Sequence, residues 1–196
     1  MRKTIIYLHG FNSAPQSAKG RMLAQAAAAL PDAPRFHLPK LHHRPAQAMR
    51  DVCAWIDAEI AAGEGFAFIG SSLGGYYATW AAERYGVRAV AINPAIRPFD
   101  TLRAFLGAQR NLYTGETYEV TAAHFDELAA LKVAQITRAE RYFLLARTGD
   151  EILDWREMAA HYAGAFQYVA GGGDHGWIDF DDEVAPVLRF ALGGTP

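Results

Sequence analysis

The amino-acid sequence predicts an α/β fold with a mostly parallel sheet covered by helices on both faces, and two observations predict it. Short β-rich runs alternate with segments of helical periodicity along most of the chain. The runs Phe66 to Gly70 and Ala89 to Ile92 are apolar throughout instead of alternating, which is the pattern of strands buried on both faces. Strand and helix in strict succession imply crossover connections between parallel neighbours.

Thr4 to Leu8 is the first β-rich run and ends at His9-Gly10, after which Ser17 to Leu30 carries apolar residues at helical spacing until Pro31 stops it. Phe36 to Leu38 reads as a brief strand and Pro39 to Arg44 as a loop. Pro45 to Ala62 reads as an amphipathic helix opened by proline, with Gly63 and Gly65 behind it. Phe66 to Gly70 is a strand, Ser72 to Tyr85 a helix, and Ala89 to Ile92 a strand ended by Asn93-Pro94. Tyr142 to Ala146 and Gln167 to Ala170 repeat the strand pattern around a helix at Trp155 to Tyr162, and a last helix runs from about Asp182 to Ala191.

One stretch breaks the rhythm. From Pro98 to Glu140 no strand pattern stands out, and Asp100 to Gln109 and Thr121 to Lys132 read as short helices. Residues 98–140 are therefore expected to form a helical insertion, either packed on the sheet or capping a site. The 196 residues suffice for one domain with a substantial core and not for two ordinary ones, so residues 1–196 are expected to form a single domain.

Composition narrows the function classes. Hydrophobic residues make up 51% of the chain and charged residues 20%, which is globular rather than disordered usage. A formal net charge of −2 without a long basic run offers nothing to nucleic acid or to an anionic membrane surface. Small-molecule substrates are the expected partners. Cys53 is the only cysteine, which excludes an intramolecular disulfide and fits a reducing cytoplasm. Met1-Arg2-Lys3 is basic, but the apolar run after it, Ile5 to Leu8, is too short for a signal-peptide core or a membrane span.

The chemistry centres on Gly70-Ser71-Ser72-Leu73-Gly74, a G-x-S-x-G match that lies between an apolar strand and a helical run. A serine projecting from so tight a turn needs small neighbours two residues before and after it, and Gly70 and Gly74 supply them. In the other frame Ser71 has Ile69 and Leu73 at those positions, so Ser72 is the expected nucleophile. The plainer reading, that Ser71 and Ser72 only cap the following helix, fits the residue type but not the glycines.

A serine hydroxyl needs an imidazole to take its proton and a carboxylate to hold that imidazole's tautomer. In this arrangement the order along the chain is Ser, then Asp or Glu, then His, each on a loop at the carboxyl end of a strand. Of the downstream histidines, His124 and His161 lie in expected helices, whereas His175 sits in the loop Gly171 to Gly176 after the strand QYVA. His175 is the expected base. Asp150 directly follows the turn residue Gly149 after the preceding strand and is the favoured acid; Asp154 suits a helix cap before Trp155, and Asp174 is a third candidate. Two backbone amides for the oxyanion are expected at Leu73, after the nucleophile, and at Phe11, in the loop LHGFNS.

Taken together, LHGFNSAPQSAKG, GSSLGGYYA, INPAIRP, TGDEILDW and GGGDHGW resemble the YqiA/YcfP-like esterases, a small branch of the α/β-hydrolase superfamily, over nearly the whole chain. The resemblance implies a compact α/β-hydrolase fold lacking the first strands of larger relatives, and hydrolysis of esters or acyl thioesters without a metal or cofactor. Ser72, Asp150 and His175 match the family's catalytic positions, and Phe11 and Leu73 its oxyanion donors. A non-catalytic binding protein on the same fold and an acyltransferase are the alternatives.

Other clusters carry less. His37, His42 and His43 surround Lys40 without a carboxylate or cysteine at ligand spacing, so no metal site is expected there. Gly171-Gly172-Gly173 has neither the lysine nor the helix start of a phosphate loop. Phe11 and Trp177 flank expected site residues and are candidates for lining an acyl pocket or for plain core packing.

Overall fold

The computed structural model describes residues 3–61 and 63–196. Met1 and Arg2 of the basic start, and Ala62 at the expected end of the second helix, lie outside the described residues.

The chain runs β1 (Thr4–Leu8), α1 (Ala18–Ala28), β2 (Arg35–His37), α2 (Pro45–Glu59), β3 (Phe66–Ser71), α3 (Leu73–Tyr85) and β4 (Arg88–Ile92). Its second half contributes α4 (Pro98–Thr101), β5 (Gly107–Arg110), β6 (Thr117–Val120), α5 (Ala122–Ala130), β7 (Tyr142–Arg147), α6 (Trp155–His161), β8 (Phe166–Ala170) and α7 (Val184–Ala191). Six strands form one sheet in the order β2-β1-β3-β4-β7-β8, and every neighbouring pair is parallel.

Alternation along the strands feeds two cores. Ile6 and Leu8 of β1 join Met49 and Val52 of α2, Tyr77 and Ala81 of α3 and Met158 of α6 on one face. Ile5 and Tyr7 join Leu23 of α1 and Val187 and Phe190 of α7 on the other. All five residues of β1 and all six of β7 are buried, so the sheet reads as continuous apolar runs. Local chemistry sets the helix ends: the Ser17 side chain accepts from the Gly20 amide to open α1, Pro45 occupies the first turn of α2, and Gly86, at φ 67°, ends α3.

The chain steps from β1 outward to β2 and then jumps back across β1 to β3, so the strand order reverses between β1 and β3. Leu8 pairs with Gly70, which brings the loops after both strands out at the same level. Crevices at such reversals are where open α/β sheets bind ligands.

The segment 98–140 differs from its expected all-helical form. Its helical pieces are α4, 3-10 turns at Leu102–Phe105 and Ala139–Arg141, and α5, but β5 and β6 form an antiparallel hairpin where a helix through Gln109 is expected. Gly107, at φ 102°, breaks the helical run, and β5 is a strand only because of its pairing with β6, which its own residues do not signal. Helix α5 packs inward through Phe125 and Leu128, both buried. Among the described residues no helix is long and apolar enough to cross a membrane.

Candidate active site

Ser72 stands alone between β3 and α3 with φ 57° and ψ −122°, a sparsely populated conformation for a residue with a side chain. The surroundings enforce it. Its amide donates to the Ile92 carbonyl at 3.0 Å, and its carbonyl accepts from the amides of Gly75 at 2.9 Å and Ala95 at 3.1 Å. The glycines make room: a Cβ on Gly70 would stand 2.1 Å from the Gly74 carbonyl oxygen, and one on Gly74 would stand 1.9 Å from that of Leu8. The spacing that singles out Ser72 in the sequence is therefore a packing requirement between β3, α3 and β1.

Ser72 Oγ lies 2.9 Å from His175 Nε2, and His175 Nδ1 lies 2.7 Å from Asp150 Oδ2. The other Asp150 oxygen accepts from the amides of Ile152 at 2.9 Å and Leu153 at 2.8 Å. The Asp150 side chain is fully buried. Burial works against its ionisation, but the His175 hydrogen bond, the two amides and the adjacent imidazole outweigh it and hold the carboxyl below the usual range. An ionised Asp150 accepts a proton-bearing Nδ1, which leaves the lone pair of Nε2 facing the serine hydroxyl.

The loop after β8 that carries His175 is fastened from the ends of two strands, β7 and β4. Gly172 and Gly173 take positive φ, and the Gly172 amide donates to Thr148 Oγ1 at 2.9 Å. The His175 amide donates to Glu151 at 2.9 Å. Asn93, fully buried at the end of β4, accepts from the Arg147 amide at 2.9 Å and donates to the carbonyls of Asp174 at 3.3 Å and His175 at 3.1 Å. Further along, Arg147 pairs with Asp179 at 2.6 Å and lies 4.5 Å over the Trp177 ring.

Leu73 opens α3, so its amide has no acceptor four residues back within the helix. Phe11 follows Gly10, whose Cα approaches Ser72 so closely that a Cβ there would be 3.3 Å from Ser72 Cβ. Leu73 and Phe11 border a single cleft of about 220 Å3. His9 shapes this corner: its Nε2 accepts from the Leu41 amide at 3.2 Å and its Nδ1 faces the Gly10 carbonyl at 3.0 Å. Burial lowers its pKa, so it holds the loop as a neutral imidazole. The hairpin β5–β6 makes the opposite wall, docked by Tyr118 Oη donating to Asn12 Oδ1 at 2.5 Å and Asn111 Nδ2 donating to the Ser13 carbonyl at 2.8 Å.

Of the rival acids, Asp154 caps α6 by accepting from the Arg156 amide at 2.9 Å, and Asp174 Oδ1 is buried without a hydrogen-bond partner among the described residues. Trp177 is 1% exposed in the core beneath α1 and α7, whereas Phe11 lines the cleft. His37 stacks on Trp55 with centroids 3.7 Å apart, and His42 accepts from the Arg44 amide. His43 faces His124 across 3.2 Å. Sequence reasoning missed Asn93 and His9 as fasteners of the site; the asparagine that ends a buried strand before Pro94 was the available signal for the first.

The model of the uncharacterised protein family UPF0227 matches residues 4–192. Among solved structures the chain is similar to a protein of Agrobacterium vitis S4 assigned to the hydrolases, at 17% identity and a TM-score of 0.73 over 97% of this chain and 88% of that one. It is similar to mouse alpha/beta hydrolase domain-containing protein 10, at 17% identity and a TM-score of 0.68 over 96% and 87% of the two chains. It is also similar to Est1E of Butyrivibrio proteoclasticus with ferulic acid bound, at 13% identity and a TM-score of 0.67 over 97% and 88%. These likenesses show an α/β-hydrolase fold.

Proposed function

The chain belongs to the UPF0227 family, the YqiA/YcfP-like branch of the α/β-hydrolases, and from that premise we propose that it is a serine hydrolase of carboxylic esters or acyl thioesters. The observation that carries the reading is the continuous hydrogen-bonded chain Ser72 Oγ, His175 Nε2, His175 Nδ1, Asp150 Oδ2, with its two steps of 2.9 and 2.7 Å. A plain surface histidine gives no reason for a buried carboxylate behind it or for the costly backbone of Ser72 in front.

In the proposed reaction Ser72 Oγ attacks the carbonyl carbon while its proton passes to His175 Nε2. The carbonyl oxygen becomes an oxyanion held by the amides of Phe11 and Leu73. The tetrahedral intermediate collapses, the C–O or C–S bond to the leaving group breaks, and the departing alcohol or thiol takes the proton from His175. Water then attacks the acyl-enzyme with His175 again as base, and the acid and free Ser72 are released. Asp150 holds the imidazole's orientation and stabilises its protonated form throughout. A small-molecule substrate in the cytoplasm completes the proposal, which the lone thiol of Cys53 supports.

The test is hydrolysis of p-nitrophenyl butyrate. The wild-type chain turns it over, and Ser72→Ala lowers kcat by at least about 10³-fold with an unchanged circular dichroism spectrum. A variant as active as the wild type overturns the assignment of Ser72, and a wild type without turnover of esters or thioesters favours a binding protein on the same fold.

A further inference from the structure

The cleft that starts at Phe11 and Leu73 is also lined by His43, which the reaction above does not use. We propose that His43 is a substrate-positioning hydrogen-bond donor, its tautomer fixed through His124, that selects esters bearing a neutral acceptor oxygen in the group seated in this cleft. The inference rests on the hydrolase reading and names the substrate class that its cleft favours.

The argument starts at a backbone amide. The Thr121 N–H is a donor only, and it points at His124 Nδ1 from 3.1 Å, in the capping box that opens α5. His124 Nδ1 must therefore accept, and a neutral His124 carries its proton on Nε2. That Nε2–H faces His43 Nδ1 at 3.2 Å. His43 Nδ1 accepts in turn, so the proton of His43 sits on Nε2. A third proton on His43 Nδ1 meets the His124 N–H, and one on His124 Nδ1 breaks the bond from the Thr121 N–H and leaves only the Thr121 hydroxyl, at 3.2 Å, to accept it.

Both rings are held in this state and in this position. Burial, and then the neighbouring imidazoles and the Arg44 guanidinium, lower the pKa of His43; burial and Arg44 do the same for His124. The His43 ring stacks with Tyr118, at 4.6 Å and 24°, and with His42, at 4.4 Å and 29°. Among the described residues no hydrogen-bond partner is recorded for His43 Nε2. The fold thus offers a cleft-lining imidazole whose free N–H has one fixed polarity. A neutral donor of this kind pairs with an ether, carbonyl or hydroxyl oxygen, and a hydrocarbon chain in the same place leaves it unpaired.

The test uses two matched pairs of esters in which an ether oxygen replaces a methylene: p-nitrophenyl methoxyacetate against p-nitrophenyl butyrate, and 2-methoxyethyl butyrate against n-butyl butyrate. In one pair the ratio of ether to alkyl kcat/KM falls about five- to tenfold in His43→Phe, mainly through KM, the size of one neutral hydrogen bond. His43→Gln, which keeps an N–H near the position of Nε2, recovers most of it. Ratios unchanged from wild type in both pairs overturn the inference. A long-range proton–nitrogen correlation spectrum of the free wild-type enzyme reads the relay itself: His43 protonated on Nε2 alone is expected, and protonation on Nδ1 or averaging between the two overturns it. Absence of turnover on all these esters and on the matching thioesters instead overturns the hydrolase reading, and the specificity claim falls with it while the spectrum still reports the tautomer.

Discussion

Asn93 Nδ2 donates to the backbone carbonyl of His175 at 3.1 Å, tying the end of β4 to the loop that carries the imidazole. The same side chain accepts from the Arg147 amide at the end of β7. One buried amide therefore sets the relative height of three strand ends, and with it the separation between Ser72 and its hydrogen-bond partner.

Asn93→Ala is expected to remove these bonds and leave the Arg147 amide buried without a partner, at a cost of about 1–3 kcal/mol in unfolding free energy. The His175 loop loses its fastening, so kcat for an aryl ester falls about 10- to 100-fold with little change in KM. Urea unfolding and steady-state kinetics check both parts. Wild-type kcat in the variant contradicts the positioning role.

Gly74→Ala is expected to be poorly tolerated, because its Cβ would stand 1.9 Å from the Leu8 carbonyl oxygen, a backbone atom that cannot swing aside. The loss is at least about 3 kcal/mol, beyond ordinary overpacking. Gly171→Ala is the control: among the described residues nothing lies within 4 Å of its Cβ position, and a change within about 0.5 kcal/mol is expected. Equal stabilities of the two variants contradict the packing account of the Ser72 turn.

Asp150→Asn tests the buried carboxylate through pH. The folded-state pKa of Asp150 is held below the usual range, so its ionised form stabilises the fold above the unfolded-state value of about 3.9 and the contribution is lost as pH falls through the lower folded-state value. The stability gap between wild type and Asp150→Asn is therefore full at neutral pH and shrinks in acid, below about pH 4. Urea titrations across that range read it, and a gap that widens in acid contradicts the sign. At neutral pH the variant's kcat is expected to fall about 10⁴-fold, because an amide no longer enforces the imidazole tautomer.

The parallel sheet was readable because its strands are buried on both faces and announce themselves as unbroken apolar runs. Strand boundaries moved by a residue, as at β2, where a three-residue edge strand has little pattern of its own. The hairpin β5–β6 was not readable: Gly107 to Arg110 is a strand through its pairing with β6 and the docking of Gln109 on Asn12, both non-local. At the site, the glycines around Ser72 and the chain order of Asp150 and His175 are local signals, and the structure brings those side chains within hydrogen-bond distance. Asn93, His9 and the His43–His124 pair act across 32 to 82 residues of sequence, and nothing in their immediate neighbours points to their partners.

The most direct test of the account is labelling with a fluorophosphonate probe, which reacts with a serine only when a neighbouring base activates it. After proteolysis and mass spectrometry the label is expected on Ser72, with none on the adjacent Ser71 and none in Asp150→Asn on the same timescale. Labelling absent from the wild type, or carried by another serine, contradicts the assignment of Ser72, His175 and Asp150 as one reacting unit.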